Sequence, residues 1–135
     1  MIHLRRLAIP TVLTLALVLA CGDDPTSAPA APIPGWLNVR LSTPHPDDGG
    51  VMFSVRGGPI DSLVSADYEL MEVRESASAR RMMLIGSIGS GIVARIRVPD
   101  IAKHGEYVVT VDQAAARGTY QQRDVSGYSA SVEAP

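Results

Sequence analysis

His45, Pro46, Asp47 and Asp48 set an imidazole and two carboxylates side by side, the residue types that ligate a divalent metal. Zinc hydrolysis needs about three protein ligands around one open position. His3 lies at the N-terminus, ahead of an apolar run, and His104 stands alone in a polar turn. The string therefore reads as a loop, with Pro44 and Pro46 setting backbone angles and Asp48-Gly49 making the turn. Asp47, Asp48, Asp61 and Asp67 could offer oxygens to calcium, but their spacing is not that of an EF-hand, and solvated turn carboxylates are the plainer reading. "GSIGSG" from Gly86 has the glycines of a phosphate loop, which works by presenting the N-terminus of a following helix. A strand pattern follows instead, so a Gly-rich hairpin turn is expected. No serine stands in a nucleophile-elbow pattern. No catalytic residue, metal site or cofactor is expected.

Some side chains suit binding rather than catalysis. Arg40, Arg56, Arg74, Arg95 and Arg97 fall on four predicted strands, the last two on the same one. They could line one face and meet an anionic glycan or protein, or form a solvated face that discourages edge pairing. Trp36, Tyr120 and Tyr128 are the candidates for stacking on a sugar, with core or edge packing as the competing use. Met71, Met82 and Met83 read as core filler.

The only cysteine, Cys21, has a distinctive setting. Arg5 and Arg6 precede an apolar run from Leu7 to Ala20, which ends at that cysteine. A basic start, a short apolar centre and a small residue before the break make an export leader. The run carries Pro10, Thr11 and Thr14 and falls short of the ~20 apolar residues a spanning helix wants. Gly22, Asp23 and Asp24 follow at once. The ending "LVLAC" resembles the lipobox of bacterial lipoproteins. That resemblance implies cleavage before Cys21, lipidation of its thiol, and a cell-envelope protein held to the membrane by lipid. In such lipoproteins of Gram-negative bacteria an Asp in the second mature position retains the chain at the inner membrane. Gly22 stands there in this chain, so the resemblance leans towards the outer membrane.

Without residues 1–20 the chain has ten basic residues against fourteen acidic ones, a net charge of −4. That balance offers nothing to attract nucleic acid. With the single cysteine at the anchor, no disulfide can form within the mature chain, and stability must come from an apolar core. About a hundred residues can bury enough surface for that, with little margin.

The elements that would position these residues are strands. Residues 21–35 form a Pro/Ala-rich stretch without apolar periodicity, a disordered tether. From Trp36 the pattern alternates. Leu37, Val39 and Leu41, then Val51, Phe53 and Val55, then Ile92, Ala94, Ile96 and Val98 each face one side. Residues 68–75, the stretch from Arg81, Tyr107 to Val111, and residues 127–133 add further strands, with Tyr128, Ala130 and Val132 inward. "DQAAARG" suggests one helical turn. About seven short strands separated by turn signals, with no 3.6-residue period, predict an all-β, antiparallel, two-layer sandwich over residues 36–133.

"HGEYVVTV" supports that architecture, because Gly105, Tyr107 and Val109 alternate as in the immunoglobulin-like strand that carries a tyrosine corner. The resemblance implies an immunoglobulin-like sandwich in which the Tyr107 hydroxyl bonds backbone a few residues upstream and Val109 points inward. "HPDD" resembles the zinc motif of bacterial de-N-acetylases. That family, however, draws a further histidine from a much larger α/β fold, and no parallel-sheet pattern surrounds the motif here. The function expected is a non-catalytic binding or interaction module, its partner an envelope protein or glycan. The alternative is an accessory subunit of an envelope complex with no ligand of its own.

Overall fold

The computed structural model describes residues 28–65 and 67–135. Nine strands follow in order: β1 (Gly35–Ser42), β2 (Asp48–Arg56), β3 (Ser62–Val64), β4 (Glu69–Ser76), β5 (Ala79–Ile88), β6 (Gly91–Val98), β7 (Val108–Ala116), β8 (Gln122–Arg123) and β9 (Ser129–Glu133). A short 3₁₀ segment, Ile101–Glu106, separates β6 from β7. The strands form two antiparallel sheets, one ordered β3-β6-β1-β9 and the other β4-β5-β2-β7-β8. The chain is thus an all-β sandwich, as the alternation predicts. The strand count exceeds seven because β3 and β8, at three and two residues, are too short to show a period.

The alternation becomes packing at the interface between the sheets. Leu37, Val39 and Leu41 of β1 and Ile96 and Val98 of β6 face Val51, Phe53 and Val55 of β2, Leu84 of β5 and Val109 of β7, all buried. Fully burying a side chain of this class contributes about 1.5–3 kcal/mol, so this layer holds the domain together without a cross-link. Val109 points inward, as the sequence suggests. Among these apolar groups lies Arg80, only 2% exposed. Its Nη1 donates to Ser76 O at 3.1 Å and its Nη2 to Ile60 O, while Nε faces Glu72 Oε1 at 3.0 Å as an ion pair rather than an aligned hydrogen bond. A guanidinium can be buried only when its charge and donors are met in this way.

Connectivity is set by crossings between sheets. Only β4–β5 and β7–β8 are hairpins within a sheet; every other connection changes layer. In an immunoglobulin-like sandwich strands B and E share one sheet and C and F the other. Here β1 and β6 pair in one sheet and β2 and β7 in the other, matching that chain order, and β3 flanks β6 where strand D would stand. The other neighbour of β1 is the last strand, β9, rather than the first.

Ile92, expected to face inward with Ala94, is 47% exposed and Val93 is buried instead, because the β1–β6 register shifts between Val39 and Arg40. Three further expectations need correction. "GSIGSG" does not make a hairpin: β5 and β6 lie in different sheets, and the Gly-rich segment turns the corner between them. Gly86 and Gly91, at φ +158° and +146°, take backbone angles that let the chain bend there, and Ser90 Oγ accepts from Thr43 N at 2.9 Å. "DQAAARG" is strand, not helical turn. β7 runs through Ala116, paired to β2 on one side and β8 on the other, and this pairing overrides the helical preference of three alanines. Tyr107 is no tyrosine corner. Its hydroxyl donates to Pro59 O at 2.8 Å, across the gap between β2 and β3, rather than to nearby upstream backbone. Gly57 makes that approach possible, because at φ +137° a β-carbon there would lie 2.1 Å from Glu106 O.

Residues 28–34 are exposed and form no regular element. Their end is fastened to the domain: Ile33 N donates to Asp100 Oδ1 at 3.2 Å, and Ile101 N donates to Ile33 O at 2.8 Å.

Candidate functional site

The "HPDD" string lies at one end of the sandwich, where β1 passes over to β2. Asp48 is not a solvated turn carboxylate. It is the first residue of β2, fully buried, and its two oxygens collect three donors. Tyr128 hydroxyl and Arg123 Nη1 each donate to Oδ1 at 2.9 Å, and Thr43 Oγ1 donates to Oδ2 at 2.8 Å. Thr43 Oγ1 in turn accepts from His45 N at 3.0 Å. The clasp ties the β1–β2 loop, β8 and the start of β9 to one carboxylate. A charge this deep persists because a guanidinium and two hydroxyls replace its lost water. Burial pushes the Tyr128 hydroxyl pKa up, and the Asp48 carboxylate adds to the effect. The arrangement is a structural lock, its oxygens spent on the fold.

Most of the other sequence candidates disperse. Asp47, Asp61 and Asp67 are exposed, and of these Asp47 stays at the clasp, its Oδ1 3.7 Å from Arg123 Nη2. His45 rests 6.1 Å from the Tyr128 ring, whereas His104 Nδ1 stays 3.3 Å from Ile101 O within the 3₁₀ segment. Among the described residues no three His, Cys, Asp or Glu side chains converge as metal ligands. The arginines divide between sheets. Arg40 forms both a hydrogen bond and an ion pair with Glu133 at 2.9 Å. Arg95 and Arg97 lie 5.5 and 6.0 Å from the Trp36 ring. Arg56 pairs with Glu75 on the opposite sheet. Trp36, Tyr120 and Tyr128 likewise fall on one sheet's outer face, the other sheet's hairpin and the sandwich end, so they build no common platform. Cys21 and the leader lie outside the described residues, among which no helix is long and apolar enough to cross a membrane.

What the sequence reading misses is a groove on the outer face of the five-stranded sheet. Val51 and Phe53 of β2 and Met82 and Leu84 of β5 point inward, so their alternates Gly50, Met52, Met83 and Ile85 point out. In register, Gly50 sits between Ile85 and Ala115, and Met52 sits between Met83 and Gln113. Small residues at the centre of the first row leave a hollow, while Met52, Met83 and Tyr120 form its sides. The volume is about 360 Å³, within the range of small-molecule sites. The lining holds no Asp, Glu, Lys, Arg or His; its polar side-chain groups are two amides, Gln113 and Gln122, and the Tyr120 hydroxyl.

Tyr120 is posed by its backbone. It lies in the β7–β8 hairpin at φ +53°, with its N–H donating to Ala116 O at 2.9 Å. A residue with a β-carbon pays for that left-handed conformation, and here the ring is held 65% exposed beside the hollow. Toward β4 the face continues as an apolar strip. Met71, Met83 and Met52 stand in one register row across three strands, beside Val73. Of the three methionines read as core filler, only Met82 is buried; Met71 is 57% exposed and Met83 half-buried. Further along, Ser54, Arg56, Glu75, Arg81 and Asp112 form a charged network through ion pairs such as Arg81–Glu75 at 2.9 Å. One face is thus apolar at one end and charged at the other.

No family model, curated protein or solved structure matches this chain. The functional reading therefore rests on the groove and the sequence.

A clue to the groove was present in the sequence. Gly49-Gly50 interrupts an apolar strand opposite Ala114-Ala115-Ala116, and small residues in register leave space. Only the pairing of β2 with β7 shows that these two small-residue runs meet.

Proposed function

We propose that this chain is a lipid-anchored cell-envelope lipoprotein whose sandwich is a non-catalytic binding module. Its outer groove would receive an apolar or aromatic group of an envelope protein or glycan. The observation that carries the binding reading is the uncharged hollow over Gly50, flanked by flexible Met52 and Met83 and by the Tyr120 ring. Methionine surfaces adapt to varied apolar partners, and Gln113 and Gln122 supply hydrogen bonds that would orient one. The anchor rests on the resemblance around Cys21, and the Pro/Ala-rich tether would hold the groove away from the lipid.

Two substitutions test the two halves separately. Cys21→Ala in the full chain is expected to release it from the membrane pellet and abolish incorporation of a palmitate analogue. Retention in the pellet with the leader uncut would contradict the anchor. Gly50→Leu fills the groove at little cost to the fold, because a β-carbon at Gly50 finds its nearest neighbour, Leu84 O, at 3.7 Å. In affinity capture from envelope extract, a protein or glycan held by the wild-type chain is expected to be lost with Gly50→Leu. Equal recovery from both chains would remove the groove from the reading.

The exposed edge strand β4 favours a second reading, an accessory subunit that works by strand pairing.

A further inference from the structure

The sheet edges are unequal. Four strands lie at edges, and three are short: β3 has three residues, β8 two and β9 five. Short edges are one of the usual protections against unwanted pairing. β4 is the exception. It has eight residues, pairs only with β5, and leaves the backbone groups of its other side unpaired by any described strand. Met71 and Val73 on it are 57% and 62% exposed.

Charge on β4 does not simply guard it. Glu72 and Arg74 point to the inner-face side, where Glu72 meets buried Arg80, while Arg74 forms no ion pair among the described residues. A second copy of β4 laid antiparallel against the first must match residues that share a face, so the two-fold axis passes through one residue. About Glu72, the axis sets Glu72 against itself and Glu69 against Glu75. About Arg74, the arginine meets itself. About Met71, no opposite charges meet. About Val73, Val73 faces Val73, and Glu72 faces Arg74 twice by symmetry. That register joins the two exposed valines and gives each unpartnered Arg74 a carboxylate.

We infer that two copies of this chain associate through β4, antiparallel and centred on Val73, to extend the five-stranded sheet into one of ten strands. The partner is a second copy because the strand's charges complement themselves in this register, each Glu72 meeting the other copy's Arg74. A C2 contact of this kind is closed and does not propagate into fibres. The inference is independent of the groove reading, since Gly50 and Tyr120 take no part in it.

Cysteine cross-linking of the full chain in mild detergent tests the register. Directly opposed residues lie about 4.5–5.5 Å apart between Cα atoms, within disulfide reach. Val73→Cys is therefore expected to give a disulfide-linked homodimer on mild oxidation, with the wild-type chain as the control for Cys21. Met71→Cys is expected to give none, because each Met71 would lie four residues, about 13 Å, from its symmetry mate. Adding Arg74→Glu sets Glu against Glu72 and is expected to reduce the Val73→Cys dimer at least tenfold. Sedimentation of the wild-type chain and of Arg74→Glu, neither carrying an added cysteine, is expected to show dimer and monomer respectively. Both positions are exposed, and an unchanged far-ultraviolet circular dichroism spectrum verifies the fold. Any of four results would overturn the inference: a monomeric Val73→Cys chain, a cross-link to a different protein, equal cross-linking through Met71→Cys, or a dimer indifferent to Arg74→Glu.

Discussion

Arg123 Nη1 lies 2.9 Å from Asp48 Oδ1, joining a two-residue strand to a fully buried carboxylate 75 positions earlier in the chain. β8 has too few backbone pairs to hold itself in place, so this contact does much of that work. It also determines where the β7–β8 hairpin, and with it Tyr120, is held.

Asp48→Ala is expected to destabilise the domain by about 3 kcal/mol, the scale for breaking a buried pair from one side. Tyr128 and Thr43 would lose their acceptor, and Arg123 would keep only the longer ion pair to exposed Asp47. Arg123→Ala is expected to cost less, because its side chain is partly exposed and leaves behind a carboxylate still held by two hydroxyls. Urea denaturation of both single variants and the double variant should give a coupling energy within the range of contacting residues, about 0.5–3 kcal/mol. Additive effects would mean that the pair is not a clasp.

Alkaline pH should loosen the fold through two tyrosines. Burial raises the Tyr107 pKa above the ordinary phenol value, with help from the carboxylates of Glu106, Asp61 and Asp100, and burial likewise raises that of Tyr128. The folded state thus holds the phenolic proton more tightly than the unfolded chain. The stability this contributes is whole below the unfolded pKa of about 10 and is lost as pH climbs through the raised folded values. Urea midpoints are expected to fall with pH above about 10. Absorbance at the phenolate band should show late-titrating tyrosines that ionise as the protein unfolds. Tyr107→Phe and Tyr128→Phe should each make the decline shallower, Tyr128→Phe starting about 1 kcal/mol lower because Asp48 loses a donor. An unchanged pH slope in both variants would rule out this linkage.

Tyr120→Gly should separate stability from binding. Glycine relieves the left-handed backbone strain, so the melting temperature is expected to hold or rise slightly, in line with a gain of up to about 1 kcal/mol. The groove loses one side, so fluorescence of an anilinonaphthalene probe on the wild-type chain is expected to drop in the variant. A melting temperature that falls by several degrees would instead show the Tyr120 ring to be a packing residue.

Part of this architecture is legible in single strands. The alternation of Leu37, Val39 and Leu41, of Val51, Phe53 and Val55, and of Ile96 and Val98 predicts their burial, because the period of two is a local property of extended chain. Tyr128 was legible in the same way. The groove was not, since Gly50 and Ala115 meet only through β2–β7 pairing. Nor was the corner at Gly86–Gly91, where glycines that suit a hairpin instead carry the chain from one sheet to the other.

The sequence by itself determined that residues beyond the Pro/Ala stretch form alternating strands around an apolar core without a disulfide, because the required pattern is written within each strand. Only the tertiary structure decided that Asp48 and Arg80 are interior charges, that Met71 and Met83 lie outside, and that β4 is a long open edge. Each of these depends on which strands become neighbours. That choice is a balance of contacts between residues far apart in the chain, and no local period records it.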